Sequence, residues 1–207
     1  LGCSNILANS APMTVFIDGE KVEGVFMETV DGTDINRFKE DDEIFSADED
    51  SFEKGAEEAL GQVADLQVLD YICGNTDRHM GNIIYQFEKD KDNKVVFKGI
   101  KGIDNDCSLG TPNVEKGQKI QQMVNPEDMQ LTREDMLKKI VSLKKDTIDM
   151  QLSHYELSAE EKDAVWNRVE KVRQAVKEKK ITVIEKDHWK WNSFKDTKTE
   201  KENYLKN

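Results

Sequence analysis

The polar loop within residues 72–87, ICGNTDRHMGNIIYQF, connects two patterns of different period. Upstream, apolar residues recur at helical spacing from a possible N-cap at Ser51 to about Cys73, and a Gly-Asn pair at 74–75 ends the predicted helix. Downstream, residues 83–97 hold two strand-like runs around a charged turn, which predicts a β-hairpin. The expected inward residues of the helix are Ala56, Ala59, Leu60, Val63, Leu66, Leu69, Ile72 and Cys73.

Another hairpin is predicted earlier in the chain, over residues 13–30. Its β-branched and aromatic runs flank Asp18-Gly19, which is a strong signal for a two-residue turn. Residues 31–51 are acidic and rich in turn-forming residues, so we interpret them as a connection with room for one short helix.

The second half of the chain is expected to be a helical body. Thr132 is predicted to cap one helix, and Ser158 with Glu161 forms a capping box at the start of another. The charged tail from Lys186 contains tryptophans, so part of it is expected to pack. Helices and hairpins together predict an α+β chain. The expected inward residues of the two helices are Met136, Leu137, Ile140, Leu143, Val165, Val169, Val172 and Val176.

Composition excludes several classes of partner. The 207 residues include 30 Lys and Arg against 42 Asp and Glu, a formal net charge of −12, so no nucleic acid and no anionic membrane surface is expected as a partner. No apolar run reaches the ~20 residues of a membrane span, so we expect a soluble chain without stable membrane insertion.

Cys3, Cys73 and Cys107 show no CxxC spacing, which favours a cytoplasmic location and leaves secretion as an effector open. Cys107 is expected to be buried and inert.

Three residues carry the groups that phosphoryl transfer from ATP requires. That reaction uses one carboxylate to orient the acceptor hydroxyl, and a carboxylate plus a neutral oxygen ligand to hold Mg²⁺ against the phosphates. Asp77 and Asn82 lie five positions apart on the loop, and Asp104 stands where the second strand of the following hairpin ends. Protein kinases arrange the same groups in the same order. The spacing therefore predicts a magnesium-dependent phosphotransferase site.

Two other interpretations stay open at this point. An Asp-Arg-His tripeptide is often an ordinary exposed loop in which the arginine, here Arg78, pairs with a carboxylate. Alternatively, His79 with Asp77, Asp104 and Asp106 can form a metal-hydrolase site for Mn²⁺ or Fe. The metal-hydrolase interpretation is weaker, because the sequence has only 3 histidines and the other two lie far along the chain.

Residues 73–84, CGNTDRHMGNII, resemble the D-R-H-x-x-N catalytic loop of the phosphatidylinositol 3/4-kinase-like branch of the kinase superfamily, which actin-fragmin kinase and HipA-type kinases share in part. Residues 103–106, IDND, resemble the metal-binding I-D-F-G of that branch, with Asn for Phe and Asp for Gly. The resemblance implies ATP and Mg²⁺ as cofactors, and it leaves the base role open between Asp77 and His79. The implied catalytic residues are Asp77, His79 and Arg78, the last of which holds the loop, and the implied metal ligands are Asn82, Asp104 and, as a possible second acidic ligand, Asp106.

Residues 25–32, VFMETVDG, resemble the last strand of a kinase small lobe where it runs into the hinge. The resemblance divides the chain into a remnant of the small lobe with the hinge, residues 1–33, and a mainly helical large lobe, residues 34–207. The implied nucleotide-binding residues are Met27 as gatekeeper, Glu28 and Val30 through their backbone at the adenine edge, and Asp34 at the ribose.

Two parts of a complete kinase are not found in the sequence. No glycine-rich loop precedes residue 13, and Lys21 lies in the hairpin turn, not in the strand whose lysine pairs with the phosphates. Because the chain begins with Leu1 and not Met, we expect a fragment of a longer kinase, and we expect these residues alone to bind nucleotide weakly and transfer little phosphate. The acidic charge places a protein Ser/Thr acceptor slightly ahead of a phosphoinositide lipid. The alternative is a pseudokinase or scaffold without turnover.

Overall fold

The computed structural model describes residues 1–34, 37, 49–111, 129 and 131–185. Within this part of the chain it contains four α-helices and three two-stranded sheets, which confirms the α+β class. No helix among the described residues is long and apolar enough to cross a membrane. The helices are α1 (Glu49–Cys73), α2 (Glu134–Ser142), α3 (Lys145–Leu152) and α4 (Ala159–Lys177), and the strands are β1 (Ser10–Ile17), β2 (Glu20–Met27), β3 (Ile83–Lys89), β4 (Val95–Gly102), β5 (Leu131–Arg133) and β6 (Thr182–Ile184).

The first predicted hairpin is confirmed as the antiparallel pair β1–β2. Asp18 and Gly19 form its turn with φ of 51° and 84°, the positive angles that a tight two-residue hairpin turn of this twist requires. Every residue of both strands is exposed, including Phe16 at 72% and Val25 at 74%. The hairpin therefore adds nothing to the core of the described residues.

The second predicted hairpin is confirmed as the antiparallel pair β3–β4, with a bulge that shifts the register after Gln86. Both of its edges are covered by short bridges from other segments. Leu7 forms a parallel bridge with Gly102 at the end of β4, and Thr33 forms an antiparallel bridge with Tyr85 in β3. The N-terminal segment and the predicted hinge therefore flank this hairpin on opposite edges.

Helix α1 is the central element of the core. It begins at Glu49, two residues before Ser51, the predicted N-cap, and ends at Cys73 as predicted. The sequence predicted one buried stripe on this helix. Asp65 and Asp70 do not belong to that stripe and are also buried, so the prediction is incomplete. Strand β4 packs against α1, and so do β5 and α4, so the helix has more than one buried face. The largest fully buried side chains of the described residues are Tyr71, Ile6, Leu66, Ile100, Met136 and Ile140, followed by Val68, Val169, Val172, Asn75 and Thr132.

The helical second half is confirmed over residues 134–177, with one correction. Ser158 Oγ accepts from Glu161 N at 3.2 Å and Ser158 N donates to Glu161 Oε2 at 2.8 Å, so the predicted capping box is present. The predicted cap at Thr132 is wrong. Thr132 lies in β5, where its parallel pairing with Val183 holds it in an extended strand, and α2 begins after Arg133. Most of the 31–51 connection and the tail from Lys186 lie outside the described residues.

Candidate functional site

The C-terminal end of α1 is the base of the predicted loop. Gly74 has a φ of 70°, a left-handed conformation that glycine adopts without steric cost. Its N–H donates to Tyr71 O at 3.1 Å, and Asn75 N–H donates to Asp70 O at 2.9 Å, which are the two hydrogen bonds of a Schellman cap. The Gly-Asn pair thus ends the helix where the sequence predicted it.

A buried polar network lies beneath the loop. The Asp70 carboxylate accepts from Asn75 Nδ2 at 3.1 Å, from Arg78 Nε at 3.0 Å and from Arg78 Nη2 at 3.2 Å. Asn75 Oδ1 in turn accepts from Asp77 N at 2.9 Å. Burial raises the pKa of Asp70, and the hydrogen bonds and charge of Arg78 oppose that rise. The network ties the backbone of the loop to the last turns of α1.

Arg78 also connects the loop to the predicted metal-binding segment at 103–106. Its guanidinium donates to Asn82 O at 2.9 Å, to Ile103 O at 2.5 Å and to Asn105 Oδ1. Ile103 N donates to Asn82 O at 3.0 Å, so the two segments also contact each other directly. The Arg78 side chain has no solvent exposure. It is therefore a buried link between the loop and the 103–106 segment.

The exposed face of the site is acidic. Asp77, Asp104 and Asp106 are all exposed, and the side-chain hydrogen bond and charge of Asp106 raise the pKa of Asp104. The charge of Asp77 also raises this pKa and His79 lowers it, so the predicted residues of both segments influence one another electrostatically. Cys107 is exposed, and not buried as expected, because it follows the two carboxylates on the same surface turn. The charge of Asp106 raises the pKa of its thiol, so Cys107 remains protonated and weakly nucleophilic.

Asn82 is buried, and its side chain is held within the loop. Its Nδ2 donates to the backbone oxygen of Asp77 at 3.0 Å. Its Oδ1 accepts no hydrogen bond from the part of the chain that the structure describes, so this oxygen is available to a ligand. His79 Nδ1 accepts from Gly81 N at 3.1 Å, which places the proton of the neutral imidazole on Nε2.

The oxygen atoms of this site suit Mg²⁺. Within the described ranges no three His, Cys, Asp or Glu side chains converge as a metal-binding group. Magnesium is usually held by one or two carboxylates together with substrate phosphates and water, so a complete cage of protein ligands is not required. Asp104 and Asp106 supply adjacent carboxylates, and Asn82 supplies a neutral oxygen.

The predicted hinge is anchored at its start by Glu28. The Glu28 carboxylate accepts from Asn9 N at 3.0 Å and from Asn9 Nδ2 at 2.7 Å, and it lies 3.5 Å from Lys101 Nζ on β4. The hydrogen bonds from the backbone and side chain of Asn9, with a smaller effect of Lys101, lower the pKa of Glu28. Met27, the predicted gatekeeper, is the last residue of β2 and is 42% exposed.

The end of the hinge passes very close to β3. Gly32 has a φ of 146°, and a Cβ at this position would lie 2.3 Å from Tyr85 O, so only glycine fits. Thr33 N then donates to Tyr85 O at 3.0 Å. Val30 and Asp34 are both half-buried. The 28–34 segment thus crosses the β3–β4 hairpin next to the end from which the 103–106 segment leaves.

Sequence reasoning missed three residues that support the site, namely Asp70, Asn75 and Arg168. Asp70 could have been noticed as a carboxylate within the apolar run of residues 68–73. Arg168 lies on α4, and nothing in its sequence surroundings distinguishes it. No protein-family model matches this chain, and a comparison with curated proteins finds no match either.

Proposed function

We propose that this chain belongs to an ATP- and Mg²⁺-dependent phosphotransferase that acts on a hydroxyl group. The observation that carries the proposal is the close approach of the loop bearing Asp77 and Asn82 to the segment bearing Asp104, through the 3.0 Å hydrogen bond from Ile103 N to Asn82 O. The electrostatic influence of Asp77 on Asp104 supports it as well. Phosphoryl transfer depends mainly on positioning and charge stabilisation, and these residue types supply both.

Asn82 and Asp104 are the residues that would hold the metal ion, and Asp106 would be a second acidic ligand. The hydrogen bond from Asn82 Nδ2 to Asp77 O leaves Oδ1 as the atom of this amide that can coordinate a cation. A cation also relieves the repulsion from the neighbouring carboxylate of Asp106, which raises the pKa of Asp104. Bound Mg²⁺ would neutralise charge on the phosphates during transfer.

Asp77 is the better candidate for the base. His79 Nδ1 already accepts a hydrogen bond from Gly81 N, so a neutral His79 presents an N–H donor at Nε2 and not a proton acceptor. The Asp77 carboxylate is exposed and receives no hydrogen bond from the described residues. We therefore assign Asp77 to orient the acceptor hydroxyl and take its proton, and His79 to donate a hydrogen bond.

Hinge residues would position the adenine. The peptide groups of Glu28 and Val30 lie on the segment that crosses the β3–β4 hairpin, and Asp34 follows the bridge between Thr33 and Tyr85. Affinity for nucleotide is expected to be low, because no glycine-rich loop precedes residue 13 in the sequence. Lys21 lies in β2, and not in the hairpin turn as expected, and its ammonium group pairs with the carboxylate of Glu23. Among acceptors, the net charge of −12 favours a protein hydroxyl over a lipid in an anionic membrane.

The test is paramagnetic broadening of amide NMR signals by Mn²⁺ with ATP. We expect broadening of residues 77–82 and 103–106, and loss of this broadening in Asp104→Asn. Asp92→Asn is the matched control, because Asp92 is an exposed carboxylate in the turn at the far end of the same hairpin, roughly 20 Å away for strands of this length. Broadening that is absent from the wild type, or equal in Asp104→Asn, would contradict the proposal.

A binding module without turnover is the second candidate. The exposed apolar residues of β1–β2, among them Phe16, Val25 and Phe26, are an observation in its favour. The same NMR experiment separates the two functions. A module that has lost its chemistry is expected to show no ATP-dependent broadening at Asp104, whereas the phosphotransferase is expected to show it.

A further inference from the structure

The end of α1 is held by hydrogen bonds from distant segments. The last carbonyl groups of a helix have no partner within it. In α1 the carbonyls of Asp70 and Tyr71 are satisfied by the Schellman cap, and Cys73 O accepts from Leu109 N at 2.6 Å. The remaining carbonyl, Ile72 O, accepts from Arg168 Nε at 2.8 Å. Arg168 lies 96 positions further along the chain, on α4.

Arg168 donates hydrogen bonds to residues that flank both segments of the candidate site. Besides Ile72 O, which directly precedes the loop, it donates through Nη1 to Gly110 O at 3.3 Å, which follows the 103–106 segment. Two backbone hydrogen bonds connect the same two parts of the chain, from Thr76 N to Cys107 O at 3.1 Å and from Leu109 N to Cys73 O at 2.6 Å. Arg168 therefore links the backbone that flanks the segment carrying Asp77 to the backbone that flanks the segment carrying Asp104.

The guanidinium of Arg168 is an unusual group in this position. The residue is 6% exposed, no described carboxylate pairs with it, and its Nη2 is buried without a partner in the described chain. Cys73 does not neutralise it, because burial raises the pKa of that thiol to about 11. The partial negative charge at the C-terminus of α1 is the remaining compensation. Burying a charge is costly. The planar guanidinium of Arg168 donates to two backbone carbonyl groups at once, and this structural role explains a charge in this position.

Gly74 leaves the space that Arg168 occupies. A Cβ on Gly74 would lie 2.8 Å from Arg168 Cζ, so the left-handed glycine at the start of the loop packs directly on the guanidinium. From these contacts we propose that Arg168 is a positioning residue that sets the distance between the 74–82 loop and the 103–110 segment. Its effect on metal and nucleotide binding rests on the function proposed above.

Arg173 offers a matched control on the same helix. Like Arg168 it donates to backbone carbonyls, namely Ile140 O, Val141 O and Leu143 O at the end of α2, but it does not contact the candidate site. We therefore compare Arg168→Met with Arg173→Met by hydrogen exchange of single amides. In Arg168→Met the amides of Thr76 and Leu109 are expected to exchange about tenfold faster, and in Arg173→Met they are expected to be unchanged.

The second readout is the apparent affinity for Mn²⁺ with ATP. We expect it to fall about tenfold in Arg168→Met and to stay unchanged in Arg173→Met. Arg168→Lys keeps the charge but offers a single point donor, so we expect protection to be lost at only one of the two amides, Thr76 or Leu109; this variant decides the matter if Arg168→Met does not fold. Equal exchange at these amides in the wild type and Arg168→Lys, or equal effects of the two methionine variants, would overturn the inference. If the wild type binds no Mn²⁺ with ATP, the proposed function fails, while the exchange measurement still tests the positioning role.

Discussion

Replacing Asp70 with asparagine should be among the most destabilising single changes in this protein. Arg78 and Asp70 form a bidentate ion pair. Arg78 Nε donates to Asp70 Oδ2 at 3.0 Å, and Arg78 Nη2 donates to Asp70 Oδ1 at 3.2 Å. The side chains of Arg78 and Asp70 are 0% and 4% exposed, so water cannot replace the lost carboxylate. An asparagine also directs its NH₂ group at one of the arginine donors or at Asn75 Nδ2, which leaves buried donors without an acceptor.

The expected loss is about 3–5 kcal/mol of unfolding free energy, because removal of one partner leaves an uncompensated buried charge. A domain of this size has a total stability of roughly 5–15 kcal/mol, so the loss is a large part of it. The melting temperature should fall by roughly 6–20 °C, at about 2–4 °C for each kcal/mol.

Urea unfolding followed by circular dichroism measures this loss, with Asp163→Asn as the matched control. Asp163 pairs with Lys145 at 2.8 Å, but the two side chains are 58% and 42% exposed, so its neutralisation should cost less than about 1 kcal/mol. Because both variants lose one carboxylate charge, the difference between their unfolding free energies measures the effect of burial. A cost for Asp70→Asn within about 1 kcal/mol of the control would refute the reasoning, because it would mean that Arg78 does not depend on the Asp70 carboxylate.

Two further changes test other contacts. Glu28 has a lowered pKa in the folded chain, so its bonds to Asn9 contribute stability above the ordinary glutamate value of about 4.3 and lose it as the pH falls through the lowered folded value. An NMR titration of the Asn9 amide should therefore show a midpoint below about 4.3 that disappears in Glu28→Gln, and a midpoint at or above 4.3 would contradict this. Ser158→Ala should lower the free energy of unfolding by about 1 kcal/mol in urea, because it removes the capping box of α4. Ser153→Ala, at an exposed serine outside that box, should stay within about 0.5 kcal/mol of the wild type, and equal effects of the two serine variants would argue against the cap.

Local chemistry made several elements predictable from the sequence. Three local features were predicted correctly without any knowledge of the rest of the chain, because each depends on residues within a few positions. They are the turn at Asp18 and Gly19, the helix end at Gly74 and the capping box at Ser158. The spacing of Asp77, Asn82 and Asp104 was visible for the same reason, because each lies within about four residues of the end of an element whose type could be predicted. Their role in phosphoryl transfer remains a prediction.

Contacts between distant residues were decided only by the tertiary structure. Thr132 has the sequence surroundings of a helix cap, but pairing with Val183 places it in a strand, and no local pattern contains that partner. Arg168 reaches Ile72 across 96 positions, and Asp70 becomes the buried partner of Arg78 only because β4, β5 and α4 cover more than one face of α1. A sequence records which groups can form hydrogen bonds, whereas burial determines which of those bonds exclude water. The residues that hold the site together therefore emerged only when the packed elements fixed which groups lie away from solvent.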